Sequence, residues 1–254
     1  QILSIAGLQN LVPITKTVAE AEALCTQQGA KPRTARLAPG LGLNLPESFC
    51  LLAFDAKAVR LAALPESNIV RVPAACAVME LALRERLDWD LNVVRVTDKR
   101  PTNDPVLDRV LEKVIEDSPQ SIADCLRQIF NKASELEQEI LRGLVAKCIL
   151  SYRETKVAGL FRTQRLVVAD PRPLAALRDD MRAVLMGNQI PDIREAVLVS
   201  LLNTCGLFAG ILAEDEIDQC RSRISQLSQL DLIGQTLARL IHEIRKFAML
   251  EPFM

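Results

Sequence analysis

The chain has 254 residues, 49% hydrophobic and 25% charged, with a formal net charge of −1. The composition is ordinary for a soluble protein, and the near-zero charge excludes a whole-molecule field for nucleic acid, so any anion must be held by a local patch. Ala, Leu, Glu, Gln and Arg dominate and aromatics make up only 4%, which predicts a mainly α fold with an aliphatic core.

Residues 1–42 read as an N-terminal extension and linker, with Pro32, Pro39, Gly40 and Gly42 marking its end. No basic region leads into an apolar run there, so no signal peptide is expected. Residues 43–254 read as one helical domain. Leu45–Asp55 looks like a helix start, with Pro46 and Glu47 suited to a first turn. Lys57–Arg71 is irregular, and Pro73 opens a helix with Cys76, Met79, Leu83 and Leu87 on one stripe. Leu91–Val96 alternates as a strand does, and Asp98–Pro105 is a turn-rich loop. Val106–Glu116 is amphipathic, and Ser118 is placed to cap a helix beginning at Pro119. Ser134–Leu150 reads as a helix with Leu136, Ile140, Leu144 and Cys148 facing in. Ser151–Ala169 reads as a β-hairpin with the RTQR run at its tip. A helix follows from Pro171 or Pro173 to about Met186, and Glu214–Leu227 and Asp231–Leu250 close the chain as amphipathic helices.

Ala196–Leu212 (AVLVSLLNTCGLFAGIL) carries no charge over seventeen residues. A segment apolar all round is buried in lipid or in a core. This one is at the bottom of the bilayer-crossing range and contains Ser200, Asn203, Thr204, Gly206 and Gly210. It is expected as a core helix wrapped by the amphipathic ones.

No catalytic signature is present. The lone histidine, His242, lies in a late amphipathic helix, and no metal-ligand spacing, P-loop, G-x-G-x-x-G or G-x-S-x-G run appears. Neither an enzyme nor a metal or cofactor is expected. Cys25, Cys50, Cys76, Cys125, Cys148, Cys205 and Cys220 are odd in number and form no C-x-x-C pair, so reduced, buried thiols are expected. The helix at 134–150 followed by a hairpin imitates a winged helix, but Glu135, Glu137 and Glu139 would repel phosphate, so no nucleic-acid partner is expected.

The functional signal is basic. Arg153, Lys156, Arg162 and Arg165 crowd the hairpin region, offset there only by Glu154. The bland reading is a solvated ribbon whose cations guard its edges. The sharper one is a surface for an anionic headgroup or another subunit, each cation near an acidic membrane contributing roughly 1 kcal/mol.

The runs LNLPESFCLLAFD (43–55), CAVMELALRERLDW (76–89) and VTDKRPTNDPVLDRVLEKV (96–114), with LVAKCIL (144–150) and the GLFRTQRLVVADP segment (159–171), resemble the Golgi phosphoprotein 3-like family. The resemblance implies amphipathic helices around a buried apolar one, with a small β-hairpin that contributes to self-association. It implies a non-enzymatic, peripheral membrane adaptor at the cytosolic face of the Golgi in a eukaryote, active in vesicle trafficking. Such proteins bind phosphatidylinositol 4-phosphate and retain glycosyltransferases by gripping their cytoplasmic tails. The family's four lipid positions fall here at Pro65, Ala74, Ser134 and Glu137, none of which matches. Arg71, Lys132 and Arg142 are the candidate substitutes for an anion site. The alternative implied is a divergent soluble scaffold without specific phosphoinositide binding.

Overall fold

The structure, a computed structural model, describes residues 42–55, 60–61, 71–90, 93–117, 120–157, 161–187 and 191–229. Residues 1–41, Pro65, His242 and the expected closing helix at 231–250 lie outside them.

Helix α1 (Leu45–Ala53) is started by a capping box. The Asn44 side chain accepts the Glu47 N–H at 2.9 Å, and Glu47 Oε2 accepts the Asn44 N–H at 3.0 Å. Every residue of α1 is buried. A two-residue pairing follows between β1 (Phe54–Asp55) and β2 (Arg60–Leu61).

Helix α2 (Arg71–Leu83) is the centre of the fold. It packs against α1, α3 (Pro105–Asp117), α4 (Ile122–Phe130) and α5 (Ala133–Ala146). Val72 through Leu81 are buried without interruption, not along the single stripe expected from spacing. Ala74, Ala75 and Ala77 have no exposed surface and let neighbouring helices approach closely. Val72, Val78, Met79 and Leu81 supply the apolar bulk, each side chain contributing about 1.5–3 kcal/mol. The helix begins two residues before Pro73, which sits in the first turn where its missing N–H is harmless.

Two helices end on non-glycine residues in the left-handed region. After α2, Glu85 has φ +57°; its N–H donates to Ala82 O, and the Arg86 N–H donates to Leu81 O. After α5, Cys148 has φ +59°; its N–H donates to Val145 O, and the Ile149 N–H donates to Leu144 O. Both are Schellman ends. They correct two expectations. The α2 stripe does not extend to Leu87, which opens strand β3 (Leu87–Asp90), and Cys148 does not face the core but is exposed.

Strand β3 pairs antiparallel with β4 (Val93–Val96), and β4 with β5 (Gln120–Ser121). Ser121, not Ser118, is the N-cap of α4, its Oγ accepting the Asp124 N–H at 3.1 Å. The hairpin is longer than its apolar runs imply. Strand β6 (Leu150–Val157) pairs with β7 (Phe161–Val168) from Leu150↔Val168 out to Val157↔Phe161. The RTQR run therefore lies within β7 and not at the tip.

Residues 196–212 form two elements. Helix α7 (Ile193–Cys205) starts on a capping box made by Asp192 and Glu195 and ends at Gly206, with φ +65°. A 3-10 turn over Leu207–Gly210 follows. Ala196–Leu202 is buried throughout, while Asn203, Gly206, Ala209 and Gly210 are exposed. Helices α6 (Arg172–Met186) and α8 (Glu214–Gln229) pack on α7. Helix α1 touches α6 and α7 as well as α2 and α5, joining the two halves of the core. Among the described residues no helix is long and apolar enough to cross a membrane.

Candidate anion-binding surface

The polar residues of the family-like runs turn on one another. Glu80, fully buried on α2, ion-pairs with Arg84 Nε at 2.7 Å and with Arg194 of α7, and accepts the Leu45 N–H at 3.1 Å. Burial pushes its carboxyl up, but the hydrogen bonds and charges of Arg194 and Arg84 outweigh that and hold it below the ordinary value. Arg86 pairs with Asp98. The hydrogen bonds of Arg100 first, and the charges of Arg100 and Arg86 in addition, bring the Asp98 carboxyl down to about 2. Asp108 Oδ1 accepts from the Thr102 N–H and hydroxyl at 2.6 and 2.7 Å. Asp104 caps α3 through the Val106 and Leu107 N–H groups and binds Asn44 Nδ2 at 2.6 Å. Lys147 Nζ lies 2.5 Å from Glu47 Oε2. These residues hold α1, α2, α3, α5 and α7 together.

Of the three candidate cations for an anion site, Lys132 lines the cleft described below, whose lining does not include Arg71 or Arg142. Arg71, at the start of α2, lies with its guanidinium 5.9 Å from the centre of the Phe130 ring at the end of α4. Lys132 stands at the N-cap of α5, 3.8 Å from Glu135. It lines a cleft of about 330 Å³ between α3, α4 and α5. Arg142 is exposed on α5, ten residues beyond Lys132, a separation of about 15 Å along the helix. Arg71 is thus held at Phe130, Lys132 follows that residue by two positions in the chain, and Arg142 stands apart.

On the hairpin, Arg153 and Arg165 are register partners, and so are Lys156 and Arg162. The pairs are three positions apart along β6, and strand positions an odd step apart belong to opposite faces of the ribbon. The four basic positions therefore divide into two cross-strand pairs. The Lys156 and Arg162 side chains lie outside the described residues. Arg153 and Arg165 are exposed, and like charges directly opposite each other repel. Leu150, Leu166 and Val168 anchor the base of the ribbon to the core.

Of the positions at which the resemblance implies lipid contacts, Ala74 is fully buried and Ser134 is exposed. Glu137 is partly buried, and burial raises its carboxyl pKa. Burial likewise pushes the Cys50 and Cys76 thiols well up and takes Cys125 and Cys205 up to about 12, so these four are protonated packing groups. Cys220 is buried beside Met186, its Sγ 3.5 Å from the thioether sulfur. Among the described residues no cluster of His, Cys, Asp or Glu is arranged to hold a metal ion.

Fold and surface together define a helical domain with a polar-locked core and a basic two-stranded hairpin. The sequence profile of the Golgi phosphoprotein 3 (GPP34) family matches residues 45–244, and the chain belongs to that family. No curated protein matches it.

Proposed function

We propose that the chain is a non-catalytic adaptor that docks peripherally on an anionic membrane surface at the Golgi and engages the cytoplasmic tails of membrane proteins. Family membership supports the adaptor role. The observation that carries the membrane contact is the exposed Arg153–Arg165 register pair on the hairpin. Anionic lipid relieves the repulsion between two arginines set opposite each other. Two to four such cations contribute roughly 1 kcal/mol each, enough for weak, reversible attachment that a second contact with a protein tail reinforces.

The lipid contact is charge-based and not selective for phosphatidylinositol 4-phosphate. Support comes from the family's lipid positions, which here offer a buried alanine, a serine and a partly buried glutamate. A carboxyl beside a phosphate monoester repels it wherever both are ionised. Flotation of the full chain with phosphatidylserine vesicles tests the reading. Binding that falls in the Arg153→Glu/Arg165→Glu variant and in high salt supports it. Binding unchanged by both removes the hairpin from the membrane contact.

A further inference from the structure

Helices α6 and α8 are joined by two contacts of different chemistry. Arg182 ion-pairs with one carboxylate oxygen of Glu216, and the other accepts the Ala213 N–H at 2.9 Å at the start of α8. One helical turn further along both helices, the Cys220 thiol donates to the Met186 thioether across 3.5 Å. Both contacts join residues 34 positions apart, so the two helices run side by side in the same direction.

The sulfur contact is lopsided. Met186, the last residue of α6, is 47% exposed, whereas Cys220 beside it is 4% exposed. Met79 and Met181 have no exposed surface. Among the described residues, Met186 is therefore the thioether that an oxidant in solution reaches. The neighbouring thiol is a poorer target. Burial first, and the charge of Glu216 in addition, raise the Cys220 pKa, and the thiolate is the form that reacts. A thioether has no proton to lose. It has two lone pairs, and the Cys220 S–H occupies one.

We propose that Met186 is an oxidation site and that its sulfoxide releases α8 from the end of α6. A hydroperoxide transfers one oxygen to the Met186 sulfur. The S–O bond forms, the O–O bond breaks, the thioether loses two electrons, and the reduced peroxide leaves as water or an alcohol. A polar sulfoxide, drawn to water, then replaces the apolar sulfur that packed on Cys220. The side chain swings outward from the helix end, and the Cys220 thiol loses its cover. Enzymatic reduction of the sulfoxide restores the contact, so the pair works as a redox-sensitive latch.

The test treats the full chain with hydrogen peroxide, labels thiols with N-ethylmaleimide, and reads each methionine and cysteine by peptide mass mapping. Met186 is expected to oxidise at least about tenfold faster than Met79 and Met181. Labelling of Cys220 rises at least about tenfold in step with the sulfoxide, while the buried Cys76 stays protected, as local rather than global opening requires. The Met186→Leu variant, similar in volume, keeps Cys220 protected at the same peroxide dose. Treatment of the oxidised wild type with a methionine sulfoxide reductase restores protection and needs no variant. Equal oxidation of the three methionines, oxidation of Cys220 before Met186, or unchanged Cys220 labelling once Met186 is a sulfoxide overturns the proposal. So does the same rise in a folded Met186→Leu variant, or labelling that stays high after the sulfoxide has been reduced.

Discussion

Glu80, with no exposed surface, is ion-paired with Arg194, 114 positions further along the chain. The pair ties the central helix α2 to α7, and the same carboxylate accepts the first N–H of α1. One charge in the core thereby fixes three helices.

Replacing Glu80 by Gln removes the charge and leaves Arg84 and Arg194 facing a neutral amide. Breaking a fully buried pair costs about 3–5 kcal/mol. The two arginine side chains are 32% and 28% exposed, so water compensates part of the loss and the expected cost is about 2–3 kcal/mol. The Glu80 pKa is depressed in the folded state. The wild-type contribution is therefore present above the ordinary glutamate value and is lost as pH falls through the folded value. Urea denaturation of both proteins at neutral and acidic pH checks this. The difference narrows in acid, and a Gln variant as stable as wild type at neutral pH contradicts it.

Glu85 and Cys148 hold left-handed conformations that cost a side chain about 1–2 kcal/mol. Glycine at either position keeps the Schellman end without that strain. Glu85→Gly and Cys148→Gly are each expected to raise stability by about 1 kcal/mol, seen as a higher thermal midpoint. Both sites follow a helix end, so the usual entropic cost of a helical glycine does not apply there. A fall in both midpoints contradicts the assigned helix ends.

Glu137 is raised by burial, the opposite case. In the folded state its neutral form is favoured, so its contribution is full below the ordinary glutamate value and declines as pH rises toward the folded value. Glu137→Gln is expected to be more stable than wild type at about pH 7 and equal to it at about pH 3.5, on either side of an ordinary glutamate. Chemical denaturation at the two values measures this. A destabilised Gln variant at neutral pH would show that the carboxylate has a partner that matters.

Much of the helical fold is legible in the sequence, where periodicity is strong. In α3, Val106, Leu107, Val110, Leu111 and Val114 are all buried, as their spacing predicts. The central position of α2 is not legible, because Glu80 makes a helix buried from Val72 to Leu81 look amphipathic, and its burial is made tolerable by Arg194, which arrives from far along the chain, together with Arg84 and the Leu45 N–H. The ends of α2 and α5 are hidden for a local reason: no glycine marks either left-handed residue. The hairpin is recognisable, but β-register is a long-range property, and the RTQR run belongs to a strand because Arg162 and Arg165 pair with Lys156 and Arg153. The motifs that resemble the family are fold determinants, since Glu80, Arg84, Asp98, Thr102, Asp104 and Asp108 bond one another or neighbouring helices. They identify the architecture. The cleft beside Lys132 depends on three helices meeting, so single-helix periodicity could not reveal it.

The proposed membrane contact is set by charge and not by headgroup identity. The most direct measurement compares flotation of the full chain with two vesicle populations of equal surface charge, one carrying phosphatidylserine and one phosphatidylinositol 4-phosphate. Equal binding to both, lost from both in the Arg153→Glu/Arg165→Glu variant, is the predicted result. Binding to the phosphatidylinositol 4-phosphate vesicles alone, retained in that variant, would contradict the account and place a specific phosphate pocket elsewhere on the protein.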